Sequence, residues 1–152
     1  MATVKSTTNL LALAAALALT ASSALASAET LCVKVPTANF RAGPGTSHDI
    51  VFKADEFFPV QVLEKKDGWA KVRDFEKEVA WVATRLLGDR DSVVIKVKKG
   101  NLRNEPGLKR ELVGHVGYGE AFRVVKRKGK WLEVATTDKT LGWIHESLGW
   151  GD

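Results

Sequence analysis

One thiol, three imidazoles and two runs of carboxylates are the groups from which this sequence could assemble a reaction. Each can be compared with a partner, because the chain repeats itself at a spacing of 62 residues. Cys32 would be the sole thiol nucleophile, yet its partner is Val94, so an apolar side chain also serves at that position and a buried strand residue is expected. His48, His115 and His145 fall opposite Arg110, Lys53 and Ala83, and none has a second ligand at metal-binding spacing. They read as surface histidines, and no metal or cofactor is expected. A glycosidase would need two carboxylates held across a cleft, but Asp55-Glu56 and the stretch Asp74 to Glu78 do not recur in the second copy. Glycine-rich phosphate loops are absent as well. These residues do not add up to an enzyme.

Binding chemistry is better represented. Trp69 and Trp131 begin two strands, Trp69 to Arg73 and Trp131 to Ala135, in which alternation sends Ala70 and Val72, or Leu132 and Val134, to one face. If that face is core, each indole stands at a rim, where it can stack on a ligand and donate one hydrogen bond; the alternative is that it caps a small core. Trp81 and Trp143, each followed by an aliphatic residue, pose the same choice. The planar forks of Arg41 and Arg103 suit backbone carbonyls of their own loop or, alternatively, an anchored ligand. Arg123, Lys126, Arg127, Lys128 and Lys130 form a basic run that reads as a solvated hairpin or as a contact for an anionic polymer.

The elements that must position these side chains follow from the repeat. The segment from Leu31 to Leu87 lies without a gap on Val93 to Gly149: Asn39 and Arg41 fall on Asn101 and Arg103, Pro44-Gly45 on Pro106-Gly107, Val62 on Val124, Trp69 on Trp131, Trp81 on Trp143 and Leu86 on Leu148. Each copy is about 57 residues, a size that buries only about 60% of its unfolded surface and leans on a few large aromatics. Short β-branched runs such as Leu31 to Val35 and Val93 to Val97, separated by Pro-Gly, Asp67-Gly68 and Gly129 turns, predict an all-β fold with no sustained helical period. The boundaries are set at 29–88 and 92–152, with 89–91 linking them. Gly88 to Ser92 reaches at most about 17 Å, so the modules are expected to touch.

Ahead of the repeat, Lys5, an unbroken apolar run from Leu10 to Leu19 and no acid before Glu29 read as a secretory signal peptide, residues 1–28. The small residues of Ala26-Ser27-Ala28 suit cleavage before Glu29, with Ala24-Leu25-Ala26 as the fallback. Thr20, Ser22 and Ser23 interrupt the run well short of the roughly 20 residues that span a bilayer, so no transmembrane segment is expected after cleavage. Leu31 before Cys32 argues against a lipid anchor, and a single cysteine allows no internal disulfide. Without the leader 22 basic residues face 18 acidic ones; Leu31 to Leu87 holds nine and eight, Ser92 to Asp152 twelve and seven. The positive field belongs to the second copy.

Taken together, Asn39-Phe40-Arg41-Ala42-Gly43-Pro44-Gly45-Thr46, then Gly68-Trp69-Ala70-Lys71-Val72, then Trp81-Val82, resemble the signature of bacterial SH3 domains. Asn101-Leu102-Arg103-Asn104-Glu105-Pro106-Gly107, Trp131-Leu132-Glu133-Val134 and Gly142-Trp143-Ile144 repeat it, with Glu105 in place of the first glycine and Ala80 departing from Gly142. The resemblance implies two tandem SH3-like, partly open β-barrels of five to seven strands, with loops around a shallow groove, in proteins that act on or attach to the bacterial cell wall. The expected protein is thus a non-catalytic, periplasmic or secreted binder of peptidoglycan peptide or glycan. An adaptor that recognises a peptide of another envelope protein is the alternative, and an electrostatic binder of polyanions a third reading; a nucleic-acid partner is not expected. The candidate ligand-binding residues are Trp69, Trp131, Trp81, Trp143, Arg41 and Arg103.

Overall fold

The computed structural model describes residues 28–151, so the expected signal peptide lies outside the described residues, apart from its last residue. Seven strands follow in the first copy: β1 Thr30–Val33, β2 Thr37–Arg41, β3 Ile50–Asp55, β4 Pro59–Lys66, β5 Trp69–Arg73, β6 Val79–Ala83 and β7 Leu87–Gly88. The second copy supplies β8 Ser92–Ile95, β9 Lys99–Arg103, β10 Leu112–Gly117, β11 Ala121–Lys128, β12 Trp131–Ala135, β13 Thr140–His145 and β14 Gly149–Trp150. Each set makes one antiparallel sheet, in the orders β3-β2-β6-β5-β4-β1-β7 and β10-β9-β13-β12-β11-β8-β14. The second order is the first with seven added to every label, so the sequence repeat is a repeat of topology. The outer strands of each sheet do not pair, which leaves the curled sheet open as a partial barrel. One 3₁₀ turn per copy, at Thr84–Leu86 and Glu146–Leu148, precedes the final strand.

Alternation builds the cores. In β5 and β12, Ala70, Val72, Leu132 and Val134 are buried while Trp69 and Trp131 are only half-buried on the opposite face. The first core joins Leu31, Val33, Phe40, Phe58, Val60, Val72 and Val82, with Phe40 stacked on Phe52 at a ring separation of 4.5 Å. The second is aliphatic apart from Phe122, around Val93, Ile95, Leu132, Val134 and Ile144. A bulge recurs after Val62 in β4 and after Val124 in β11, leaving Leu63 and Val125 exposed at matching positions. A further bulge appears only in the second copy, between Val134 and Ala135. It passes through Gly142 at φ 144°, where a Cβ would lie 2.6 Å from the Arg103 carbonyl oxygen. The alanine at the matching place, Ala80, sits in an unbroken ladder.

The uninterrupted apolar runs in β1 and β8 have a separate cause. A strand buried on both faces needs no polar alternate positions. Leu31 and Val33 face their own core, as Val93 and Ile95 face theirs, whereas Val94 joins the first module's cluster together with the partly buried Ala121 and Trp150. Cys32, the residue at the position matching Val94, is fully buried beside Ser92, its side-chain hydrogen-bond partner. Burial lifts its thiol above the ordinary value, against a smaller lowering by Ser92 and by Arg90. Polar contacts frame this seam: Phe75 packs on Tyr118 at 5.4 Å, the Tyr118 hydroxyl donates to Glu76, and Glu56 accepts from Thr137 at 2.6 Å and meets Arg90 at 3.4 Å. Gly151, at φ 128°, closes it, since a Cβ there would come within 2.4 Å of the Pro59 ring.

Two outcomes follow from the seam. A Val94→Asp substitution puts a charge into the first module's core from the second, and should lower the thermal midpoint of both modules; a midpoint unchanged for the first module would show that it does not depend on Val94. Iodoacetamide should fail to modify Cys32 in the native protein at pH 8, because the thiolate is disfavoured until pH passes the raised pKa, and should react fully once denaturant exposes it.

Candidate functional site

Two grooves occupy matching places on the two modules. The first, about 440 Å³, is lined by Asn39, Arg41, Trp69, Ala83, Thr84 and Leu86 among others. The second, about 420 Å³, is lined by Asn101, Arg103, Trp131, His145, Ser147 and Leu148 among others. Four of these pairs, Asn39 and Asn101, Arg41 and Arg103, Trp69 and Trp131, Leu86 and Leu148, are identical residues 62 positions apart. The floor comes from β2 or β9, one wall from the Trp at the start of β5 or β12, and the other from the 3₁₀ turn. None of the lining residues is acidic.

Arg41 and Arg103 hold the loop that rims the groove. Nη1 of Arg41 donates to the carbonyls of Thr46, at 3.1 Å, and His48, at 2.8 Å; Nη1 of Arg103 donates to that of Arg110, at 2.6 Å. His48 and Arg110 are repeat partners, so one bond recurs in both copies. The loops differ in how they support that bond. Gly43 lets the His48 ring lie where a Cβ would come within 2.6 Å of it, while the second copy replaces the contact with an ion pair of 3.2 Å between Glu105 and Arg110. Each guanidinium therefore shapes its groove and also lines it.

The candidate tryptophans divide. Trp69 and Trp131 line the grooves. Trp81 is half-buried and outside them, on β6 opposite Lys71 of β5 and Arg41 of β2. Trp143 is a correction: it is only 8% exposed and offers no stacking face. The ladder is regular there, with Trp143 opposite Glu133 and Arg103 and Ile144 opposite Leu132, so Trp143 keeps the outer face and is nevertheless covered on it. Of the basic run, Arg123 is also placed elsewhere, since it lines a cleft at the seam with Glu56, Arg90 and Thr137.

Three groove contributions escape the reading of residues one at a time. Asn39 and Asn101, and Leu86 and Leu148, are signalled by the repeat itself. His145 is not, because its partner is Ala83. Far from being an isolated surface histidine, it meets Trp131 edge to face, 5.4 Å between centroids and 87° between planes. Its Nδ1 lies 2.7 Å from Ser147 Oγ and accepts the Ser147 N–H at 3.2 Å, which caps the 3₁₀ turn. With Nδ1 an acceptor, the neutral ring carries its proton on Nε2. Among the described residues no third group orients this pair as a nucleophile and base, and none form a cluster of three or more metal-ligating side chains. The grooves are built to stack and to hydrogen-bond.

Family models described as bacterial SH3 domains match residues 36–88 and 96–151. No curated protein matches the sequence. Among solved structures, the chain is similar to NlpC1 from Trichomonas vaginalis at 17% identity and TM-score 0.37, covering 90% of this chain and 50% of that one. NlpC2 from the same organism gives 14%, 0.36, 83% and 49%, and an NlpC/P60 family protein from Bacillus cereus 14%, 0.39, 80% and 56%. This chain spans about half the length of these proteins.

Burial separates the roles of two neighbouring tryptophans. Trp131→Ala should leave the second module folded with a modest drop in its melting midpoint, whereas Trp143→Ala removes a buried aromatic, at about 3–5 kcal/mol, and should unfold it. Circular dichroism melts decide this, and equal losses from the two would contradict the assignment of Trp131 to an exposed wall.

Proposed function

Because the chain belongs to the bacterial SH3 domain family, with two tandem domains, we propose that it is a non-catalytic envelope protein that recognises cell-wall peptidoglycan through the two grooves. The observation that carries this reading is the recurrence of one groove, with Asn, Arg, Trp and Leu at identical places, on two modules whose surfaces otherwise differ. A core position can persist in a repeat for packing alone. Trp69 and Trp131 stand on the outer face, where packing asks less of them, and a half-buried indole beside an amide suits a sugar ring or a peptide bond. Export by the leader delivers the protein to the compartment where that ligand lies. Among the described residues no helix is long and apolar enough to cross a membrane.

The adaptor reading draws on a different observation. The edge strands β3 and β10 expose Ile50 and Val51, and Leu112 and Val113, at matching positions, and an unpaired edge can accept a strand from a partner. Purified sacculi separate the two. The protein should pellet with sacculi in the absence of other proteins, and Trp69→Ala with Trp131→Ala should remove most of that binding while both modules remain folded. Folded double variants that still pellet would exclude the grooves, and failure of the native protein to pellet would favour the adaptor.

A further inference from the structure

The second groove continues onto a basic surface that the first lacks. In the ladder between β11 and β12, Lys128 stands directly opposite Trp131 and Lys126 opposite Glu133, so alternation places both lysines on the outer face that carries the indole. Lys130 sits in the turn immediately before Trp131, and Lys99 lines the groove itself. Side chains two apart on one strand face are about 7 Å apart, so Lys126 and Lys128 lead along β11 toward the tryptophan, and Lys130 in the adjoining turn continues the row. All three are exposed, and among the described residues no ion pair includes any of them. Arg127 lies between Lys126 and Lys128 on the other face of the strand end.

The first module answers each position differently. Lys126-Arg127-Lys128-Gly129-Lys130 corresponds to Glu64-Lys65-Lys66-Asp67-Gly68, where two acids cancel two lysines and Lys65 is held by Glu29 at 2.7 Å. Lys99 corresponds to Thr37. Charges facing the other way are few: Glu133 opposes Lys126 in the second module, and Arg41 and Arg85 give the first groove some positive charge of its own. The two modules thus share a groove and differ in what surrounds it. Shape is kept for one kind of contact while charge is concentrated beside one copy only.

The geometry points to a second binding surface, formed by Lys126, Lys128, Lys130 and Lys99 beside Trp131, that takes a linear anionic polymer bearing repeated phosphate or carboxylate groups. It rests on the groove reading for the place of Trp131 at its end and adds the charge of the ligand. A row of lysines makes point-charge contacts and suits a flexible chain of anions better than one planar carboxylate, which arginine forks would grip. The row, opposed by Glu133 alone, also raises the local counter-ion concentration, so such a polymer should bind fast and in a salt-dependent way.

Fluorescence titration of the purified protein with inorganic polyphosphate, and separately with poly-glutamate, tests this and distinguishes phosphate from carboxylate recognition. At least one polymer should bind at low salt, with affinity falling linearly in log salt. A Lys126→Gln, Lys128→Gln, Lys130→Gln triple variant should bind about tenfold more weakly and lower the salt slope by about 2, since each contact with a flexible chain contributes about 0.7. The Lys65→Gln, Lys66→Gln pair at the corresponding hairpin of the first module should change neither value. Binding of neither polymer, equal losses in the two variants, or binding to phosphatidylglycerol vesicles alone would overturn the assignment. Sacculi stripped of attached anionic polymers keep the two proposals apart: pelleting without polymer binding removes only the basic surface, and polymer binding without pelleting removes only the groove as a wall site.

Discussion

Alternation along the strand that starts with tryptophan is the constraint on which the functional surface depends. A sheet of about 57 residues can fill only its concave side, and it does so with Ala70 and Val72, or Leu132 and Val134. Because successive side chains must point to opposite faces, burying these residues obliges Trp69 and Trp131 to stand outside. The groove is then completed by whatever the neighbouring elements bring to that face: an asparagine and an arginine from β2 or β9, and a leucine from the turn before the last strand. A one-residue slip of register would bury the indole and expose the valine, so the same forces that hold the core hold the site.

The seam between the modules follows from a second consequence of small size. The first core does not close on its own residues, and the second module lends it a strand buried on both sides. Val94 completes the first core from the second module, and Cys32 fills the matching place on the other strand. The lone cysteine thereby serves as a small hydrophobe, its burial holding the thiol neutral at physiological pH. Around this dry contact Glu56, Arg90, Thr137, Tyr118 and Glu76 supply polar bonds that fix orientation more than they add stability, being exposed or half-exposed. Contact through Val94, Ala121 and Trp150 ties the two modules, and with them the two grooves, to each other.

Divergence between the copies is concentrated where the fold is indifferent to it. Swapping the Gly43 and His48 contact for the Glu105 and Arg110 ion pair preserves the arginine-to-carbonyl bond beneath. The β11 to β12 hairpin can gather lysines because Lys126, Lys128 and Lys130 stand exposed and outside the core. Only the Gly142 bulge alters the barrel itself, and it needs a residue free of a Cβ against the Arg103 carbonyl.

Local chemistry and the internal repeat determined the β class, the two modules, the core valines, the buried cysteine, and Trp69 and Trp131 as outward residues. All of these are properties of a strand's period or of a position's tolerance seen twice. Which outward residues share a groove was decided by pairing across strands far apart in sequence. Asn39, Trp69 and Leu86 meet only when β2, β5 and the last turn are brought together by the curl of the sheet. The burial of Trp143 was not legible, because its period gives the face it stands on and only the tertiary packing decides whether that face is covered. His145 was missed because its worth lies in an edge contact with Trp131, which pairs with it across the ladder between β12 and β13. Val94 shows the same limit in packing: its sequence demands burial on both faces, and only the docked modules reveal that the second face belongs to a neighbouring core.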